Sequence, residues 1–371
     1  MQKQQLIAYQ LGIIGQFHCP ELPPIILMGR SGIGKTALTF QLAEAFGKRF
    51  YNFEMSGKRA EDISGYGVPD HDTGTMRFYP DAFVSEILNC PNGSVLMNFD
   101  EIADLPPSVE ISMHPVLCGK RFGTNAVPNR TAITGQGNPP EVSTTGGALA
   151  PAVVRRVCIL DVEIDPNVWA DGNEVGFKNM DIIDIDDGWL KHIPQERAMV
   201  SAFIRINPSA LDRDAAESHL PAPCPRQWTN VALYNALCKG TEHMSARLEL
   251  IKGCIGEELA LQYVKWEAEQ DVPDWRDVLD GSCGKSEWPN RGDQIHILAK
   301  SCVAGTLSEF NTKNVQACWN FLAELCRMDM GDLAAIACPP LANAGFPRGW
   351  NGVIPKEIEE FASLLDEANI Q

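Results

Sequence analysis

Eight consecutive residues, Gly29-Arg30-Ser31-Gly32-Ile33-Gly34-Lys35-Thr36, fit the pattern G-x-x-x-x-G-K-[ST] at every fixed position. Glycines at this spacing let backbone N–H groups curl around phosphate oxygens, and a helix starting here aims its positive end at them. Lys35 then reaches the β- and γ-phosphates, and the Thr36 hydroxyl can ligate Mg2+. The candidate nucleotide cradle is therefore Gly29 through Ala37, with ATP and Mg2+ as the expected ligands. A second Gly-Lys-Ser, at Gly284-Lys285-Ser286, has Leu279 where the upstream glycine is required and no apolar strand before it.

Hydrolysis of a bound nucleotide also needs a carboxylate for the metal and a group that polarises water. Val95-Leu96-Met97-Asn98-Phe99-Asp100-Glu101 offers both at the end of an apolar run. Asp100 would orient the Mg2+ shell through water, and Glu101 would activate the attacking water. Asn98 interrupts the apolar run, and in a buried strand its amide needs a hydrogen-bond partner.

The surrounding elements read as follows. Ile25-Ile26-Leu27-Met28 is a short buried strand leading into the glycine loop, and Leu38, Leu42, Ala45 and Phe46 set a helix after it. Residues 1–19 read as a helix on Leu6, Ile7, Leu11 and Ile14. Residues 63–82, rich in Gly, Asp, Pro and aromatics, read as a hairpin or loop insertion, followed by a helix over 82–88. A helix over 102–118 starts at Pro106-Pro107, residues 121–127 resemble a small hairpin, and 131–134 and 157–160 are further core strands. Apolar strands alternating with helices predict a parallel sheet covered on both faces. From about residue 190 helical periodicity takes over, with Val315, Cys318, Trp319, Leu322, Leu325 and Cys326 forming one stripe. Trp266, Trp275, Trp288, Trp319 and Trp350 read as core or groove packing. The acidic stretch 171–188 lacks the Gly turn and terminal Glu of a calcium loop and reads as a solvated linker.

The chain has 371 residues, with 31 Lys and Arg against 48 Asp and Glu, a formal charge of −17. So acidic a surface repels phosphate backbones and argues against a nucleic-acid partner. At 44% hydrophobic and 21% charged the composition is that of a folded core, not a disordered tail. Twelve cysteines with no CxxC and no close pair point to free thiols in a reducing cytosol. No signal peptide opens the chain and no apolar run reaches membrane-spanning length, so a cytoplasmic location and no membrane partner are expected.

After Glu101 stand Ile102-Ala103-Asp104-Leu105-Pro106-Pro107, then Gly135-Gln136-Gly137-Asn138-Pro139-Pro140-Glu141, then Gly146-Gly147-Ala148-Leu149-Ala150-Pro151-Ala152-Val153-Val154-Arg155-Arg156. In this order, over roughly residues 20–230, the sequence resembles the AAA+ ATPases of the MoxR type, relatives of the magnesium-chelatase ATPase subunit. The resemblance implies an α/β fold: a P-loop AAA+ parallel sheet flanked by helices, then an all-α lid and a C-terminal helical region. With the change to helical periodicity as the boundary, residues 1–188 would be the nucleotide-binding core, 189–272 the lid and 273–371 a helical extension of unknown role, with no recognised motif beyond about residue 230. It further implies a catalytic set of Glu101, Lys35, Asn138, Arg156 and Arg226. Asn138 matches the sensor-1 asparagine, which touches the γ-phosphate and the lytic water. Arg156 matches the arginine finger that reaches a neighbouring subunit's nucleotide, with Arg155 the adjacent alternative. Arg226, in Pro225-Arg226-Gln227-Trp228, matches the sensor-2 arginine. The insertion at 65–80 and the 121–127 hairpin fall where this group carries its helix-2 insert and presensor hairpin, which line the ring pore.

The same resemblance implies a homo-oligomeric ring, usually a hexamer, remodelling a protein client in chaperone-like fashion. A von Willebrand factor A domain protein is a common partner of such ATPases. Three other readings stand beside it. A nucleic-acid motor is opposed by the acidic balance, an ATP-gated scaffold without turnover by Glu101, and a small-molecule kinase by Asn138, Arg156 and the helical second half.

Overall fold

Four consecutive apolar side chains make Ile25–Met28 an interior strand; in the computed structural model, which describes residues 2–142, 147–175, 181–214, 217 and 219–358, all four are buried. The chain forms two compact units, one of Met1–Leu190 with Ser209–Leu261, the other of Lys191–Pro208 with Gln262–Gln371. The first runs α1 (Lys3–His18), β1 (Ile25–Met28), α2 (Lys35–Ala45), β2 (Arg49–Glu54), α3 (Ala60–Ser64), β3 (Tyr66–Asp70), β4 (Thr75–Tyr79) and α4 (Ala82–Leu88). It continues with β5 (Val95–Asp100), α5 (Pro107–Gly119), β6 (Arg121–Phe122), β7 (Asn125–Ala126), β8 (Ala132–Gly137), α6 (Pro151–Val154), β9 (Cys158–Asp161) and α7 (Pro166–Val175). After α8 (Ile193–Ile206), which belongs to the second unit, it resumes with α9 (Pro225–Gly240) and α10 (Met244–Ile255).

Five strands form one parallel sheet in the order β2-β5-β8-β1-β9. Met28, the last residue of β1, lies beside Gly137 on one side and Asp161 on the other. The neighbours of β1 thus come from later, opposite excursions of the chain, and the crevice at the carboxyl end of such a strand is where open α/β sheets take ligands. Phe53, Phe99 and Phe122 stack in the core, with ring centroids 4.7 and 5.6 Å from Phe53. Helix α1 packs against β1 and β8. Its buried Gln16 satisfies backbone groups of Ile133: Nε2 donates to the carbonyl and Oε1 accepts from the amide, both at 3.0 Å.

The two expected hairpins are both two-stranded antiparallel ribbons, β3–β4 and β6–β7. The first leaves Tyr66, Val68, Met76, Phe78 and Tyr79 about half exposed. The helix expected to start at Pro106-Pro107 is α5, and a separate 3-10 turn over Ile102–Asp104 precedes it, because residues before prolines are pushed out of the helical region. Of the acidic stretch 171–188, residues 176–180 lie outside the described residues, as does Gly146 of the Gly146-Gly147 pair. Its remainder is not a solvated linker. Ile183 and Ile185 are buried, Gln10 holds the Asp181 carbonyl and the Ile183 amide at 3.2 Å each, and Asp187 meets His18 at 2.7 Å. Two apolar residues in that run suffice to dock it on α1.

The second unit is helical: α8, then α12 (Trp275–Asp280), α13 (Gly292–Ser308), α14 (Thr312–Arg327), α15 (Gly331–Ala337) and α16 (Pro339–Ala344), with α11 (Glu257–Ala268) entering it from residue 262. Trp275, Trp288 and Trp319 sit in its core with Cys302, Cys318 and Leu322. These units divide the chain differently from the expected boundaries at 188 and 272, since α8 falls in the second and α9 and α10 in the first. Among the described residues no helix is long and apolar enough to cross a membrane.

Lys120, just after α5, donates from Nζ to the Thr131 carbonyl at 2.9 Å. Burial pushes its ammonium down to about 8. Between about 8 and 10.5 the unfolded chain therefore binds more protons than the folded one, so this residue's cost is full below pH 8 and relieved as pH rises. Urea unfolding of wild type and Lys120→Met at pH 7.5 and 10 should show the wild type gaining about 2 kcal/mol on the variant. An unchanged difference would mean the ammonium is not desolvated.

Candidate functional site

At the carboxyl end of β1 the chain turns through a tight loop into α2. Gly29 donates to the Gly137 carbonyl at 3.1 Å, and a Cβ there would lie 2.9 Å from the Val162 carbonyl oxygen. Gly34 has a φ of 88° and stands at the helix start with no side-chain cap. The first-turn amides of α2 are consequently free to serve an anion. A cavity of about 330 Å3 opens over this loop, lined by residues 31–37, by Asp100 and Glu101 after β5, and by Gln136, Gly137 and Asn138 at the end of β8.

Lys35 Nζ donates to the Gly29 carbonyl at 2.6 Å, the Arg30 carbonyl at 3.0 Å and Asn138 Oδ1 at 3.3 Å. Burial lowers its pKa, and the nearby Asp100 carboxylate opposes that shift. Thr36 Oγ1 lies 2.9 Å from Asp100 Oδ2. Glu101 has a φ of 59°, the left-handed region, and its amide donates to Asp100 Oδ1 at 3.0 Å. A non-glycine residue held there is strained, and such strain gathers at functional sites. Lys35, Thr36, Asp100, Glu101 and Asn138 are thus brought together, with Ser31, Gly32, Ile33, Gly34 and Ala37 around them. Gly29 contributes its backbone, and Arg30 stays exposed.

The architecture matches that of P-loop NTPases. Oxygen donors on Thr36 and Asp100 suit a small hard cation such as Mg2+. The uncapped helix start and Lys35 suit the phosphates of a nucleotide.

The arginines lie outside the cavity lining. Arg155 pairs with Asp212 at 3.0 Å and Asp214 at 3.4 Å. Arg156 donates to the Ala152 carbonyl. Arg226 is exposed in the first turn of α9. The second Gly-Lys-Ser forms a 3-10 turn, and its Lys285 pairs with Glu324. Asn98 finds its partner on the edge strand, donating from Nδ2 to Asn52 Oδ1 at 2.7 Å.

Two residues of the cluster escaped the sequence reading. Gln136 Oε1 lies 2.8 Å from Thr36 Oγ1, and Gln136 Nε2 donates to Thr39 Oγ1 at 2.9 Å. The signal was present: Thr134, Gln136 and Asn138 are polar at a period of two, so one face of this buried strand is polar.

No family model matches the chain. Over 87 residues it is 30% identical to Lon protease 2 of Hydrogenovibrio crunogenus, a match covering 23% of this chain and 9% of that protein. The chain thus spans less than a tenth of the curated relative it matches. Among solved structures, a chain from Cytophaga hutchinsonii assigned as an ATPase aligns at a TM-score of 0.44 and 13% identity, covering 70% of this chain and 88% of that one.

The left-handed backbone at Glu101 predicts a stability order that ignores chemistry. Glu101→Gly should leave the unfolding free energy unchanged or raise it by up to about 1 kcal/mol, and Glu101→Val should lower it by about 1–2 kcal/mol. Chemical denaturation without nucleotide reads both. A glycine variant less stable than the valine one would contradict the backbone assignment.

Proposed function

We propose that this protein is a Mg2+-dependent ATPase, a ring-forming AAA+ motor of the MoxR type that remodels or activates a protein client. The observation that carries the reading is one cavity gathering residues 31–37, with Lys35 and Thr36, together with Asp100, Glu101 and Asn138. Lys35 would exchange its loop carbonyls for the β- and γ-phosphate oxygens. Thr36 and Asp100 would hold Mg2+, which when bound neutralises charge on the phosphates. Glu101, next to Asp100 on a rigid turn, would accept the proton of the attacking water. Asn138 would orient that water against the γ-phosphate.

Arg155 is engaged by two aspartates of its own chain, which favours Arg156 as the residue offered to a neighbouring subunit. Its position outside its own cavity supports a role in trans. Arg226 would reach phosphate from α9. The exposed β3–β4 ribbon, with five half-exposed apolar side chains, suits the client-facing insert of such rings. A hexamer in the cytoplasm, with a von Willebrand factor A domain protein as one class of partner, completes the reading.

Glu101→Gln should retain ATP binding and lose turnover by about 10²–10⁴-fold. Light scattering of that variant with Mg-ATP should give a mass near six subunits, and a persistent monomer would sink self-sufficient ring assembly. Arg156→Ala should cut turnover by about 10³-fold or more at unchanged nucleotide affinity, and Arg155→Ala far less. Equal losses would leave the finger unassigned to Arg156 and overturn that part of the reading.

A further inference from the structure

Gln136 is fully buried and lines the cavity, and although it stands two residues before Asn138 the sequence reading gave it no role of its own. Its amide nitrogen faces Thr39 and its amide oxygen faces Thr36. Thr39 Oγ1 donates to the Lys35 carbonyl at 3.1 Å, so toward Gln136 it accepts, and Gln136 Nε2 is the donor at 2.9 Å. Gln136 Oε1 is left facing Thr36 Oγ1 at 2.8 Å, where the Thr36 hydroxyl must donate. That same hydroxyl lies 2.9 Å from Asp100 Oδ2. One proton therefore has two acceptors. Behind the amide, Tyr9 Oη lies 2.7 Å from Thr39 Oγ1 and 2.9 Å from Thr134 Oγ1, and Thr134 donates to the Ile25 carbonyl at 2.8 Å. Tyr9, Thr39 and Thr134 are all fully buried, and burial pushes the Tyr9 phenol up to about 12, so it stays neutral.

We propose that Gln136 is a positioning residue of the metal site: its amide oxygen accepts a hydrogen bond from the Thr36 hydroxyl and so turns a Thr36 lone pair toward a divalent cation. This rests on the Mg2+–nucleotide reading of the cavity. Without Gln136 the Thr36 hydroxyl is held by Asp100 Oδ2 alone, and its lone pairs lose the second anchor that aims them at the cation. Removing such an outer partner of a metal ligand typically weakens metal affinity about 10–100-fold.

The test uses the full chain and a fluorescent non-hydrolysable ATP analogue, bound in EDTA and across a Mg2+ titration. Gln136→Met, unbranched and of similar length, should raise the Mg2+ concentration for half-maximal analogue binding by about tenfold or more. Affinity in EDTA should stay within about twofold, a split that loss of general packing would not give. Gln136→Glu, which keeps the acceptor, should not need more Mg2+ than wild type. In a Thr36→Ala background Gln136→Met should add nothing further, since both act through one hydroxyl. Should Gln136→Met fail to fold, Thr39→Ala removes the amide's anchor and should shift the Mg2+ requirement in the same direction. An unchanged Mg2+ requirement, an equal loss in EDTA, or additive effects would each overturn the role of Gln136. Wild type that binds the analogue with no Mg2+ dependence would overturn the reading of the cavity as well.

Discussion

Gly29, one step beyond the last paired residue of β1, donates to the carbonyl of Gly137, the last residue of β8, and this rung fastens the glycine loop to the strand that leads into Asn138. Parallel strands in register release their chains at the same edge of a sheet, so whatever follows each strand is gathered there. β5 pairs with β8 on its far side, which brings Asp100 and Glu101 to that edge too. The 3.3 Å contact from Lys35 to Asn138 and the 2.9 Å contact from Thr36 to Asp100 are consequences of that register. A slip of one residue at either pairing would turn every side chain to the opposite face and dissolve the cluster.

Most of this was legible because the inner strands announce themselves. β1 is a continuous apolar run and β5 is broken only by Asn98 before its terminal Asp100, and the insertion at 65–80 carries the Gly and Asp of a turn between aromatic flanks. β2 was not legible: Arg49, Asn52 and Glu54 break its hydrophobic run, as befits an edge strand half open to water. Asn98 could be recognised as anomalous, but its partner Asn52 lies on that unread strand. Gln136 was hidden differently. The strand reading stopped at Thr134 because Gly135 and Gly137 look like loop residues, yet all of β8 is buried.

The arginines mark another boundary of what one chain can specify. Arg155 resolves itself locally through Asp212 and Asp214, and no sequence pattern would have linked those positions. Arg156 and Arg226 stay outside the cavity lining. The second unit carries Trp275, Trp288 and Trp319 as core, packed with the α14 stripe around Cys302 and Cys318, whereas Trp266 and Trp350 are only partly buried. Burial pushes both thiols well up, making them inert packing groups rather than nucleophiles.

Helix α1 shapes how the protein must be made. Eleven of its sixteen residues are buried, and Tyr9 bonds to Thr134 across 125 residues of sequence. During synthesis at about 5–20 residues per second that strand emerges about 6–25 s after the helix. For that interval the helix has an apolar surface without the strand that covers it, and the Tyr9 hydroxyl has Thr39 but not Thr134 within the chain made so far. The last strands to emerge, not the first helix, set when the nucleotide cradle can form.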